Sequence, residues 1–126
     1  MSRLILVLVL MLSFFACQQK EEAEQSATTT LSDAQVVAAI EAHINGNLDA
    51  DGNYAIEDAI ESRTRKLKLD YVHTSVHPTD EGRYYACADM REVESKLDLD
   101  FYVAAEDGEA KVTEVVIHKV DGVSRN

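Results

Sequence analysis

Few side chains in this chain are placed to do chemistry. His73, Cys87, Asp89 and His118 all fall inside β-rich runs, with Asp98 and Asp100 nearby in the pattern. Brought together by a fold, a thiol, two imidazoles and a carboxylate would supply the donor set of a metal site. The same groups would also supply a nucleophile with a base beside it, Cys87 acting with His73 or His118. The spacing itself selects neither. The chain has no CxxC and no HxH, and His73 and His77 stand four apart on a strand, too far to chelate one ion easily. The plainer reading is a set of hydrogen-bonded polar groups in a sheet. Asp98 and Asp100 read as a solvated strand face, because paired-carboxylate glycoside hydrolysis needs a cleft that spacing does not reveal. There is no Gly-rich phosphate loop and no GxSxG elbow. The lack of a recognisable catalytic set favours a module that binds a protein or small ligand over an enzyme.

A second cluster lies at residues 47–58, where Asn47, Asp49, Asp51, the Asn53 carbonyl and Asp58 alternate along a short loop. Its pattern resembles an EF-hand loop, with Gly52 at the sharp turn and Tyr54 at the apolar position. That resemblance implies weak Ca²⁺ binding by clustered hard oxygens. The loop departs from the pattern at its first ligand, Asn47, and at its last, where Asp58 replaces the longer bidentate Glu. Asp, Asn and Gly are also ordinary turn formers, so an Asx-rich turn explains the same residues. Calcium is the one cofactor the sequence suggests, and none is expected otherwise.

The clearest feature is an address. Arg3 precedes an uninterrupted apolar run at 4–12, and Ala16 stands just before Cys17. A positive start, a short apolar core and a small residue before the cut describe a secretory signal. The apolar stretch falls short of the roughly 20 residues needed to span a bilayer. With Cys17 after Ala16, the segment resembles the lipobox of bacterial lipoproteins, in which the cysteine becomes the acylated N-terminus. Phe14 stands where that box typically has Leu. Gln18 is not the Asp of inner-membrane retention, and Lys20-Glu21-Glu22 resembles the surface-export tag of Bacteroidota lipoproteins. These resemblances imply a signal at 1–16, lipidation at Cys17, and an outer-membrane protein displayed at the cell surface. Residues 18–30 lack Val, Ile, Leu and aromatics, so 17–30 read as a lipidated, disordered tether. A flexible coil of that length spans about 20 Å. If Cys17 is acylated, Cys87 has no partner in the chain, either buried as a small apolar residue or reactive.

The elements that must position these groups lie in 31–126, read as one domain. Ser32 and Gln35 form a capping box, and Leu31 and Val36 a hydrophobic staple. Val36, Ile40, Ile44 and Leu48, with Val37 beside them, make the apolar stripe of an amphipathic helix stopped at Asn45-Gly46. The stretch 47–65 gives a mixed signal, a helical turn around Ile56, Ala59 and Ile60 or a short strand over 54–56. From Lys66 the pattern alternates. Leu67, Leu69, Tyr71 and His73 share one expected face, opposite Lys66, Lys68 and Asp70. Further runs at 84–90, 97–103 and 112–120 are separated by turns at 78–82, 92–95 and 106–108. The fold class is therefore α+β, one N-terminal helix packed on an antiparallel sheet of four or five strands, similar to a cystatin-like arrangement. The C-terminal part, with its Tyr71-Val72-His73, Tyr84-Tyr85-Ala86-Cys87-Ala88-Asp89 and Ile117-His118-Lys119 segments, resembles small bacterial lipoproteins, and that resemblance implies no activity. The formal charge is −11, and loss of Arg3 with the signal makes it one unit more negative. Such a chain repels nucleic-acid phosphates and attracts cations. The lone basic cluster, Arg63, Arg65, Lys66 and Lys68, reads as a solvated strand entry or a dock for an acidic partner.

Overall fold

Helix α1 (Asp33–Gly46) begins where the sequence supplies a reciprocal cap. Ser32 Oγ accepts the Gln35 backbone N–H at 3.2 Å, and the Ser32 N–H donates to Gln35 Oε1 at 2.8 Å. Leu31 and Val36, on either side of the cap, are both buried, as a staple requires. Val36, Ile40 and Ile44 are the buried stripe. Each fully buried aliphatic side chain contributes about 1.5–3 kcal/mol, so this stripe holds the helix more than its propensity does. Leu48 lies past the helix end, bridges to Tyr54 and is 42% exposed, so the stripe is one residue shorter than the spacing predicts.

The computed structural model describes residues 29–125. The signal at 1–16, Cys17 and nearly all of the tether lie outside those residues. Among the described residues no helix is long and apolar enough to cross a membrane.

After α1 come seven strands: β1 (Tyr54–Asp58), β2 (Arg63–Val72), β3 (His77–Pro78), β4 (Tyr84–Arg91), β5 (Lys96–Glu106), β6 (Glu109–Val120) and β7 (Val123–Ser124). They form one antiparallel sheet in the order β1-β2-β4-β5-β6-β7, with β3 continuing along β4 beyond β2. The α+β class holds, but four or five strands is too few. β1 occupies the stretch whose signal was mixed. β3 and β7 are each two residues long, below any periodicity. β7 is reached through Asp121 and Gly122, with φ of 49° and 78°. The β5–β6 link through Asp107 and Gly108 repeats this pair of left-handed residues, with φ of 51° and 78°, the type I′ geometry that two-residue hairpins favour.

The inner face of the sheet carries Leu67, Val72, Ala86, Ala88, Met90, Leu97, Leu99, Phe101 and Val103, all buried, and α1 packs across β2, β4, β5 and β6. Of three bulges in the sheet, two decide which side chains reach the outer face near His73 and His118. Leu69 pairs with Met90 but Tyr71 pairs with Asp89, so Asp70 is an extra residue in β2. A one-residue slip sends every later side chain to the other face. Val72 is therefore buried, and Tyr71 is 52% exposed. The expected core placement of Tyr71 and His73 is corrected by this bulge. In β6, Asp98 faces Lys119 and Leu99 faces Ile117, which leaves His118 as the extra residue.

One end of the sheet is closed by charge. Arg65 is 1% exposed and Asp58 2%, so Arg65 does not belong to a solvated strand entry. Its Nε donates to Asp58 Oδ2 at 2.7 Å, its Nη2 lies 2.9 Å from Glu61, and its Nη1 donates to Glu92. Arg125 adds contacts of 3.2 Å to both Asp58 and Glu61. Three guanidinium groups, counting Arg63 on Glu61 and Glu92, thus share three carboxylates. Pairing of this kind is what permits a buried charge.

Candidate functional site

The register of β4 against β5 sets Cys87 opposite Asp100, Asp89 opposite Asp98 and Tyr85 opposite Tyr102. These residues alternate with the buried ones, so they occupy the face turned away from α1. Directly opposed side chains have Cβ atoms about 4.5–5.5 Å apart. Cys87 Sγ donates to Asp100 Oδ1 at 2.7 Å, and His118 Nδ1 lies 3.4 Å from the same oxygen. The bulge in β6 is what turns His118 onto this pair, the re-aiming that bulges commonly provide. Sulfur, oxygen and nitrogen all fall within 4.8 Å of one another. Asp100 is only 6% exposed, so it is not part of a solvated strand face.

Burial pushes the Cys87 thiol up, and the hydrogen bond to Asp100 with the charges of Asp100, Asp98 and Asp89 pushes it further, to about 12. The group is a thiol at neutral pH and a weak nucleophile. His73 sits beside it. The His73 backbone N–H donates to the Cys87 carbonyl at 2.9 Å, and its Nε2 lies 2.8 Å from Asp89 Oδ1. The Tyr71 ring meets the His73 ring edge-on at 5.3 Å. Along the same face His77 stacks on Tyr85 at 5.1 Å and Tyr85 on Tyr102 at 5.5 Å, with the Arg83 guanidinium 4.8 Å above Tyr102.

A cavity of about 180 Å³ opens here, lined by His73, His77, Cys87, Asp89, Asp98 and His118 with Ser75 and Lys119. All four residues singled out by the β-run pattern, His73, Cys87, Asp89 and His118, therefore reach one cavity. Asp100 lies beneath it and joins Cys87 to His118. Its part was not visible in sequence, since only the β4–β5 register places it against the thiol. A larger groove of about 520 Å³ runs between Arg63, Thr64, Lys66 and the 92–95 turn. Its cations are already matched, Arg63 by Glu61 and Glu92 and Lys66 by Asp49.

The loop at 47–58 is organised differently. Asp49 Oδ1 accepts the N–H groups of Asp51 and Asn53, both at 2.9 Å, and Asp49 Oδ2 pairs with Lys66 Nζ at 3.1 Å. Lys68 Nζ donates to the carbonyls of Asp51 and Gly52 at 2.7 and 3.2 Å. Asn47 Nδ2 donates back to the His43 carbonyl at 2.7 Å. Asp58 starts the β1–β2 turn, accepting from Ile60 and Glu61 and holding Arg65 and Arg125. The Asn53 amide and the Lys66 ammonium hold the Asp49 carboxyl at about 2. The Asp49, Asn53 and Asp58 oxygens assigned to one calcium ion thus have separate partners, and Lys66 and Lys68 bond the loop at Asp49, Asp51 and Gly52. This is an Asx turn that starts β1. Among the described residues, Cys87, Asp100 and His118 are the trio of His, Cys and carboxylate groups close enough to share an ion.

Comparison of the chain with protein-family models, with curated proteins and with solved structures gave no match.

Proposed function

We propose that this chain is a lipid-anchored module of the bacterial envelope, held at the outer membrane and displayed at the surface, that binds a small polar ligand or ion in the outer-face cavity without transforming it. One observation carries the binding reading: β4, β5 and β6, with the residue just past β2, deliver His73, Cys87, Asp89, Asp98 and His118 to one cavity. Evenly solvated strands would scatter such groups instead. The non-catalytic part rests on how Cys87 is held. Its sulfur donates to Asp100 among the further negative charges of Asp98 and Asp89, which disfavour the thiolate, the reverse of the electropositive surroundings that activate a cysteine. The helix-then-meander order suggests a cystatin-like arrangement, but fold alone assigns no function. The anchor rests on the apolar run ending at Cys17.

The cavity reading is tested by thermal denaturation against a panel of ions and small polar metabolites, comparing the wild type with Ser75→Trp. Ser75 lines the cavity and is exposed, so the indole fills the site while sparing the core. A compound that stabilises the wild type and not the variant supports the reading. Stabilisers that act equally on both, or none at all, count against it. Turnover of ester, phosphoester or peptide substrates that disappears in Cys87→Ser would overturn the non-catalytic part. Labelling with a palmitate analogue is expected in the wild type and absent in Cys17→Ala.

A further inference from the structure

We infer that the occupant of this cavity is a divalent transition-metal ion of the zinc class, ligated by Cys87 Sγ, Asp100 Oδ1 and His118 Nδ1. This rests on the binding reading above and names the ligand of that same site.

The charge balance of the two buried carboxylates points to it. Asp58 and Asp100 are 2% and 6% exposed. Asp58 is matched by Arg65 and Arg125. Among the described residues, Asp100 has no Lys or Arg within 4 Å, only the thiol of Cys87 and the ring of His118. A buried carboxylate with no Lys or Arg beside it is costly, and its two neighbours are both metal-ligand types. Asp89 and Asp98, against the one cation Lys119, leave the cavity wall net negative, which draws a cation toward the site.

The donor types choose the ion. Ca²⁺ and Mg²⁺ take oxygen ligands, whereas one sulfur, one imidazole nitrogen and one carboxylate oxygen form a mixed set suited to zinc and its neighbours. Bond lengths of about 2.3 Å to sulfur and about 2.0–2.2 Å to nitrogen and oxygen, in a tetrahedron, place the donors about 3.4–3.6 Å apart. The oxygen-to-nitrogen separation is already 3.4 Å. The sulfur-to-oxygen separation of 2.7 Å must open by about 0.9 Å, through rotation of the Cys87 side chain as the ion replaces the thiol hydrogen. On loading, the Cys87 S–H bond breaks, its proton passes to solvent and a sulfur–metal bond forms. Nothing is oxidised or reduced. Three strands, β4, β5 and β6, each give one ligand, so the site is carried on the sheet and not on a loop. The fourth position faces the cavity, where a water completes the shell.

Titration calorimetry of the mature chain with Zn²⁺, Ca²⁺ and Mg²⁺, with Cys17 changed to Ser, tests this. One Zn²⁺ per chain is expected, with no comparable heat from Ca²⁺ or Mg²⁺. Co²⁺ should give a sulfur-to-metal charge-transfer absorption, a direct reading of Cys87 ligation that needs no variant at that position. Cys87→Ser and His118→Ala should weaken Zn²⁺ binding by about 100-fold or more, while His73→Ala, which lines the cavity outside the trio, should keep binding within about tenfold. No Zn²⁺ heat, or Zn²⁺ binding without a cobalt–sulfur band, overturns the assignment. Binding that survives His118→Ala also overturns it. A negative zinc result together with a metabolite whose stabilisation is lost in Ser75→Trp would leave the cavity reading standing and remove the metal alone.

Discussion

Replacing Arg65 with Met should be the most damaging single change in the sheet that leaves its hydrophobic volume in place. Arg65 is 1% exposed on the Leu67 face and reaches Asp58, Glu61 and Glu92. Methionine fills much of the same volume and continues the apolar alternation of β2, so the loss is electrostatic. Opposite charges about 4 Å apart attract by about 4 kcal/mol at an effective dielectric near 20. Truncation returns that attraction and strands a carboxylate that is 2% exposed. Arg125, at 3.2 Å, and the amides of Ile60 and Glu61 still hold Asp58, which places the loss toward the lower part of the usual range of about 3–5 kcal/mol for a broken buried pair. The double variant Asp58→Leu/Arg65→Met removes both charges and should recover most of that loss. Urea unfolding followed by circular dichroism measures both variants. A cost below about 1 kcal/mol for Arg65→Met, at unchanged m-value, would refute the claim that this network is desolvated.

Three further outcomes follow from the same geometry. Cys87, with Cys17 replaced by Ser, should react slowly with iodoacetamide in the native state. A thiol at about 12 instead of 9 carries about a thousandfold less thiolate, partly offset by greater nucleophilicity, for about a 50-fold net slowing relative to the unfolded chain; equal rates would contradict the placement of the thiol against Asp100. The melting temperature should decline slightly from about pH 7 to 5, because burial lowers His43 and the unfolded chain takes up its proton first, and then fall more steeply toward pH 2. Burial alone would raise Asp58, but Arg65, the Glu61 amide and Arg125 outweigh it and hold the carboxyl at about 2, below its unfolded value of about 3.9. The stability it contributes is complete above the unfolded value and lost as pH falls through the folded one; a flat profile down to pH 2, or an unchanged profile in Asp58→Asn, would contradict this. Ser32→Ala should cost about 1 kcal/mol through loss of the helix cap, read by urea unfolding, and no change would mean that the box seen at Ser32 and Gln35 is not formed in solution.

Several elements with a local cause were legible in the sequence. The cap at Ser32, the staple at Leu31 and Val36, and the Asp107-Gly108 hairpin each depend on a few adjacent residues. Asp121-Gly122 carried the same signal and could have located β7. Alternation failed at Asp70 because a period of two has no way to anticipate an extra residue, and everything beyond it, Tyr71 and His73 included, changed face. That slip is why His73 lines an outer cavity and not the core. Arg65 was misplaced for a different reason: a buried arginine is indistinguishable from a solvated one until its carboxylates are located, and Glu92 is 27 residues away. Asp100 likewise depends on register, since Cys87 and His118 reach it only through the β4–β5 and β5–β6 pairings.

The metal assignment turns on where an ion lands. The most direct measurement is a Zn²⁺ titration of the mature chain followed by amide chemical shifts. Perturbations should begin at residues 73–75, 87–89, 98–100 and 116–119 and saturate at one ion per chain. Shifts concentrated at residues 47–58, or none anywhere, would contradict it.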